Sequence, residues 1–165
     1  METLSIQLTK ADALHVARSK MLDEFAKIEE AVVGLMLRAK CTIKADHLSQ
    51  KIQVLRATKP TPQYSRAKRA QVLPLLDQLE PLLALRNDIV HSAMRIANID
   101  GDPHASFRNV RTATEPTGLA RLITLDQFET VRRDVHRFAI ELLSPIPPNP
   151  ASSPPPPSPD ATADP

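Results

Sequence analysis

At 165 residues the chain is long enough for one domain with a real core, and its one cysteine, Cys41, excludes an intrachain disulfide and a cysteine-based zinc site. The apolar fraction is 42%, yet aromatic residues make up only 3% and Trp is absent. The core must therefore be assembled from Leu, Ile, Val and Ala, as in helical bundles.

The formal net charge is +2, but the last twenty-one residues hold two Asp and no Lys or Arg. The remainder thus carries 21 basic against 17 acidic side chains, near +4, which suits an anionic partner without demanding one. No apolar run reaches the roughly 18 residues of a membrane span, and no basic leader runs into an apolar segment. With a single cysteine as well, a soluble, cytoplasmic protein without a membrane partner is expected.

Residues 3–8 alternate apolar and polar at Leu4, Ile6 and Leu8, a short strand or an ordered arm. Thr9 followed by Asp12 has the spacing of a helix start, with a hydroxyl to accept from an orphan amide and a carboxylate placed at the positive end of the dipole. Leu14, Met21, Phe25, Ile28, Val32 and Leu35 then recur at helical steps, predicting a long amphipathic helix to about Lys40. Gly34 near its end either permits a close helix approach or is simply tolerated.

Leu48, Ile52 and Leu55 predict a second, shorter helix with Asp46 as a candidate cap, ended by the breaker Lys59-Pro60-Thr61-Pro62. A third helical region runs from about Tyr64 to about Ile96, with Pro74 and Pro81 each expected to kink it or to start a new first turn. The period changes after His91. Met94–Ile99 and Ala105–Arg111 read as two strands around the Asp100-Gly101 turn. Thr112–Leu122, containing Pro116 and Gly118, reads as loop.

Thr124 opens the last helix with a capping box to Gln127, while Ile123 and Phe128 have staple spacing. Phe128, Val131, Val135, Phe138 and Leu142 supply its core face, and Ser144-Pro145 ends it. Residues 145–165 hold ten of the sixteen prolines and cannot bury enough surface to order themselves, so a disordered, polyproline-biased tail is expected beyond a domain at 1–144. The expected fold is all-α: a bundle of about four helices with a small β-hairpin between the third and fourth.

The chemistry-bearing residues are few. There is no Gly-rich phosphate loop, no His-Glu-x-x-His and no nucleophile elbow. His15, His47, His104 and His136 are scattered as surface or boundary residues, so neither a metal site nor a cofactor is expected, and Cys41 reads as a small buried hydrophobe. Lys59, Arg66, Lys68 and Arg69 around Tyr64 form a basic cluster that reads as a solvated helix start, with phosphate contact as the other reading.

The distinctive stretch is Leu85-Arg86-Asn87-Asp88-Ile89-Val90-His91-Ser92. The apolar row Val72, Leu76, Leu79, Leu83 and Val90 is interrupted only at Arg86, which places a guanidinium in the stripe that should face the core. A guanidinium cannot shed its charge, so it needs a carboxylate such as Asp23, Glu24 or Glu29, a path to water, or an anionic ligand. Asn87 and His91, four apart, share a face, whereas Arg86 and His91 diverge by about 140° on a regular helix.

This stretch resembles the signature of the HEPN superfamily: an Arg, a polar residue directly after it, and a His five to seven positions on. The resemblance implies a compact helical bundle, often dimeric, and in many members a metal-independent endoribonuclease in which Arg86 and His91 are catalytic and Asn87 supports substrate binding. RNA and a second copy of the chain, with the motif at or near the interface, are the partners it implies, with a cognate inhibitor as a third for a toxin or defence effector. The alternative is a non-catalytic RNA-binding or protein-interaction module of the same family.

Overall fold

The computed structural model describes residues 9–42, 47–108 and 120–145. Helix accounts for 69% of these, in α1 (Lys10–Arg38), α2 (Leu48–Ala57), α3 (Arg66–His91) and α4 (Leu125–Leu143). Between α3 and α4 lies a three-stranded antiparallel sheet in the order β1 (Arg95–Ile99), β2 (Asp102–Phe107), β3 (Arg121–Ile123). The architecture is thus dominated by helices, with a small sheet where a hairpin was expected. The proposed cap Asp46, the N-terminal alternation at 3–8 and all but the first residue of the Pro-rich tail lie outside the described residues.

Helix α1 starts where Thr9 and Asp12 close a capping box. Thr9 Oγ1 accepts from the Asp12 N–H at 3.1 Å, and Asp12 Oδ2 accepts from the Thr9 N–H at 3.0 Å. Its stripe of Leu14, Met21, Phe25, Ile28, Val32 and Leu35 is buried throughout. It ends when Lys40 turns into the left-handed region at φ 56°. Gly34 permits no close approach, since an added Cβ would meet nothing within 4 Å. Cys41 is half-buried rather than buried, with its Sγ 3.0 Å from Thr58 Oγ1.

The start of α4 is set in the same way. Thr124 and Gln127 form the second complete capping box, and Ile123 and Phe128 on either side of it are both buried. Phe128 meets Phe107 of β2 edge to face, with ring centroids 6.1 Å apart. That contact ties the sheet to the bundle.

Helices α1 and α4 run in the same direction. Their starts meet around one cavity lined by Lys10, Leu14, Thr124 and Leu125. Midway, His136 Nδ1 lies 2.9 Å from Glu24 Oε2. At the far end Lys68 donates to the Ser144 carbonyl and feels the charge of Arg38. Burial pushes the Glu24 carboxyl upward, but hydrogen bonds from Lys27 and His136 outweigh it and hold the group below its ordinary 4.5. Desolvation and the nearby Arg38 lower Lys68.

Lys68 also undoes the basic cluster. It is buried, and it donates to Gln71 as well as to the Ser144 carbonyl, while Arg69 donates to the carbonyls of Thr58 and Arg56. Tyr64 is fully buried. Two of the four cations therefore fasten the ends of α2 and α4 to the start of α3, and only Lys59 and Arg66 face water.

Pro74 and Pro81 neither break α3 nor start a new helix. They are seven residues apart, so they share one face, and both are exposed. The carbonyls they leave unbonded, of Ala70 and Asp77, belong to exposed residues, where water can take the place of the missing N–H. The helix stops at His91, short of the expected Ile96.

The sheet corrects two boundaries. Ile99 pairs with Asp102, so the loop is the two residues Asp100 and Gly101, both at positive φ (51° and 85°), as a type I′ turn requires. The second strand therefore begins at Asp102 rather than Ala105. Arg121 and Leu122, expected in a loop, belong to β3, which pairs with Ser106 and Phe107 of β2. With three residues, β3 is too short to show an alternation in sequence.

Two outcomes follow from this packing. Pro81→Ala should raise stability by about 1 to 3 kcal/mol in urea denaturation, because an interior helix proline forfeits a hydrogen bond and crowds the preceding turn. Glu24 has a depressed folded pKa, so its contribution is fully present above the ordinary 4.5 and is lost as pH falls from there through the folded value. Glu24→Gln should flatten the acid limb of a stability-against-pH series over that window while leaving its neutral side level.

Candidate functional site

The motif occupies the last turn and a half of α3. Toward this end the buried face of the helix rotates: Val72, Leu76, Leu79 and Leu83 give way to Leu85 and Ile89, and Val90 is 40% exposed. Arg86 therefore stands at the margin of the core rather than within it. Its side chain retains 22% exposure.

Of the three carboxylates that could meet Arg86, Glu29 of α1 does so. Arg86 Nη2 lies 3.7 Å from Glu29 Oε2, while the other oxygen of Glu29 takes a close ion pair from Lys51 of α2. Two cations thus share one carboxylate, and the group as a whole carries about one positive charge. Glu24 is committed to Lys27 and His136 instead.

Arg86 Nη1 also reaches Asn87 Oδ1 at 3.5 Å, a long contact at the limit of a hydrogen bond. Asn87 and His91 are exposed. Because α3 is unbroken up to His91, helical geometry applies as it stands: Asn87 and His91 lie about 40° apart around the axis, and Arg86 and His91 about 140° apart. Within one chain the structure joins Arg86 to Asn87. It records no hydrogen bond from His91 to either, nor to any other described residue.

Two cations not singled out in the sequence hold this end of α3 in place. Arg18 of α1 donates through Nη2 to the Ile89 carbonyl at 2.9 Å. That carbonyl belongs to the last turn and has no helical N–H to accept, so the guanidinium satisfies it and sits at the negative end of the dipole. From β3, Arg121 Nε pairs with Asp88 Oδ2 at 2.7 Å. Arg18 follows Ala17 at the edge of the α1 stripe, which marks a boundary cation. Its carbonyl partner seventy-one residues away has no sequence signal.

The end of α3 is thus bordered by Arg18, Lys51, Arg86 and Arg121, against Glu29 and Asp88. This is a positive surface around an exposed imidazole and an exposed amide. The cavity at the starts of α1 and α4, about 340 Å³ and lined also by Asp102, His104 and Asp126, belongs to the opposite end of α1 from its Arg38 terminus and includes none of the motif residues. Among the described residues no group of three His, Cys, Asp or Glu side chains is arranged to hold a metal ion, and no helix is long and apolar enough to cross a membrane. Comparison with family models, with curated proteins and with solved structures gave no match.

Proposed function

We propose that the chain is a cytoplasmic endoribonuclease of HEPN type, acting as a homodimer on RNA without a metal, with Arg86 and His91 catalytic and Asn87 supporting. The observation that carries this reading is the state of Arg86: partly exposed, held by Glu29 at 3.7 Å, and five positions before an exposed His91. At 3.7 Å, and with Glu29 already closely paired to Lys51, this contact is a loose one. Transferring the guanidinium to a phosphate therefore costs little, and the phosphate would gain a charge-assisted, two-pronged partner.

The reaction follows from the groups present. RNA carries its own nucleophile, the ribose 2′-hydroxyl. His91 takes its proton as O2′ attacks phosphorus, the bond to the 5′-oxygen breaks, and that oxygen takes a proton as it leaves. The products are a 2′,3′-cyclic phosphate and a free 5′-hydroxyl. Arg86 braces the phosphate oxygens as charge grows, and Asn87 orients phosphate or imidazole.

Internal transfer benefits from a base and an acid, and each chain brings one motif histidine. Two motifs facing one another across a two-fold axis would supply both, and would set the Arg86 of one copy beside the His91 of the other. This also answers the 140° divergence inside one chain. A toxin or defence role with a restraining partner protein is the biological setting this reading suggests.

The Glu29 pair equally suits a second reading, in which Arg86 is a structural cation of a non-catalytic RNA-binding or interaction module. The two separate cleanly. Purified protein incubated with RNA in EDTA should generate cyclic-phosphate ends, and Arg86→Ala and His91→Ala, with unchanged circular dichroism, should each slow this by at least about 100-fold. Absence of cleavage by the parent protein between pH 5 and about 9 would favour the module instead.

A further inference from the structure

The three-stranded sheet has two outer strands, and they are not equally protected. An uncapped edge offers a row of unpaired N–H and C=O groups to any extended chain, and proteins blunt such edges with proline, charge, bulges or brevity. On the β3 side, β3 itself is three residues long. Beyond its end the exposed stretch of β2 presents Pro103, which has no N–H to donate.

The register identifies which groups face outward. In a hairpin with a two-residue loop, the closing pair exchanges both of its hydrogen bonds. Ile99 with Asp102, Ala97 with His104, and Arg95 with Ser106 are therefore the bonded pairs of β1 and β2. It follows that Ile96 and Asn98 turn their N–H and C=O groups away from β2. No described strand pairs with them, β1 has no proline, and all its residues but Ala97 are exposed. Ile96 and Ile99 of this strand are 36% and 37% exposed, on opposite faces of the sheet.

We propose that β1 is a homodimer surface: two copies pair antiparallel through this edge, about a two-fold axis at Ala97, to make one continuous six-stranded sheet. Three features select a second copy in this register. Ile96 falls opposite Asn98 of the other chain and Asn98 opposite its Ile96, so every outward amide and carbonyl of both strands finds a partner. Ala97 meets its own copy in a non-bonded pair, where the strands come closest, at about 4.5 Å between Cα atoms, and a small side chain is what fits there. Charge agrees as well. Arg95 lies opposite Ile99 of the other copy, beside Asp100 of its turn, while the two Arg95 side chains stay four residues apart; Asp102 is already paired with Lys10 at 2.8 Å. A two-fold shifted to Ile96 would place the two Arg95 diagonally adjacent.

This deepens the dimer part of the preceding reading and rests on no other part of it. Strand β1 begins four residues after His91, so the pairing would put the two motifs on opposite sides of the axis, each beside its own end of the paired strands, and does not by itself bring the Arg86 of one copy to the His91 of the other.

The test is sedimentation equilibrium on the full chain without RNA. The parent protein should be a dimer with Kd on the order of micromolar or tighter. Asn98→Pro removes one outward N–H and no bond of the β1–β2 ladder, and Ala97→Arg sets two like charges at the axis. Each should yield a folded monomer by circular dichroism, whereas Leu143→Arg, at an exposed apolar site on α4, should leave the dimer intact. A parent protein monomeric at about 100-fold above that Kd, or a dimer that survives both β1 variants, overturns the proposal.

Cleavage measured on the same samples keeps the two readings apart. A monomeric parent that cleaves RNA would overturn the edge pairing and spare the ribonuclease. A dimeric parent that cleaves nothing, and becomes monomeric in the β1 variants, would support the pairing and remove the ribonuclease.

Discussion

The α1–α4 pairing is the constraint on which the other elements depend. Two helices running in the same direction cannot be joined by a short turn, so everything between them must serve as the return path. Helix α3 provides most of that return, and the sheet provides the rest. The pairing is sealed by the continuous stripe from Leu14 to Leu35 against Phe128, Val135, Phe138 and Leu142, all buried. Glu24 and His136 fix its register at mid-length with the one carboxylate that the stripe buries. Burying a carboxylate is costly unless it is fully bonded, and Glu24 has both Lys27 and His136. A slip of one helical step would lose those partners as well as the apolar contacts.

Given that frame, the end of α3 is held by borrowed cations. Arg18 reaches it from α1 and Arg121 from β3, while Glu29 takes Lys51 from α2 on one oxygen and Arg86 on the other. The first two are close, directed contacts, and Arg86 is the looser partner of Glu29. The scaffold around the motif is therefore rigid where it supports the backbone and permissive at the guanidinium. Under the proposed reading a phosphate would then compete with a loose contact rather than with a close one.

How far the fold was legible in sequence depended on whether a signal was local. The capping boxes at Thr9 and Thr124, the stripes of α1 and α4 and the Asp100-Gly101 turn all rest on residues within a few positions of one another, and each is found where it was read. Burial beside a distant partner is not local. Lys68 and Arg69 resembled a solvated basic face because nothing in their neighbourhood announces the Ser144 carbonyl seventy-six residues away or those of Thr58 and Arg56. Of the two readings of the α3 prolines, a kink or a new first turn, the second does not occur, for a related reason. Their cost falls on carbonyls, and whether water can reach those depends on which face the tertiary packing leaves open. At the motif, the need of Arg86 for a partner was readable from the apolar row it interrupts, and Glu29 was among the three carboxylates considered. That the core turns away at Leu85 and Ile89, leaving Arg86 at its margin, was not.

The sheet links these two levels. Its order is a simple meander, entered where α3 stops at His91 and left where α4 begins beside the start of α1. Phe107 anchors the middle strand to α4, and Arg121 anchors the last strand to α3. Among the described residues, β1 pairs with β2 alone. Strand β1 follows the last turn of α3 after only three residues, so the proposed edge and the motif are joined by a short stretch of backbone. The termination of α3 at His91 thus sets both where the motif ends and how soon β1 begins.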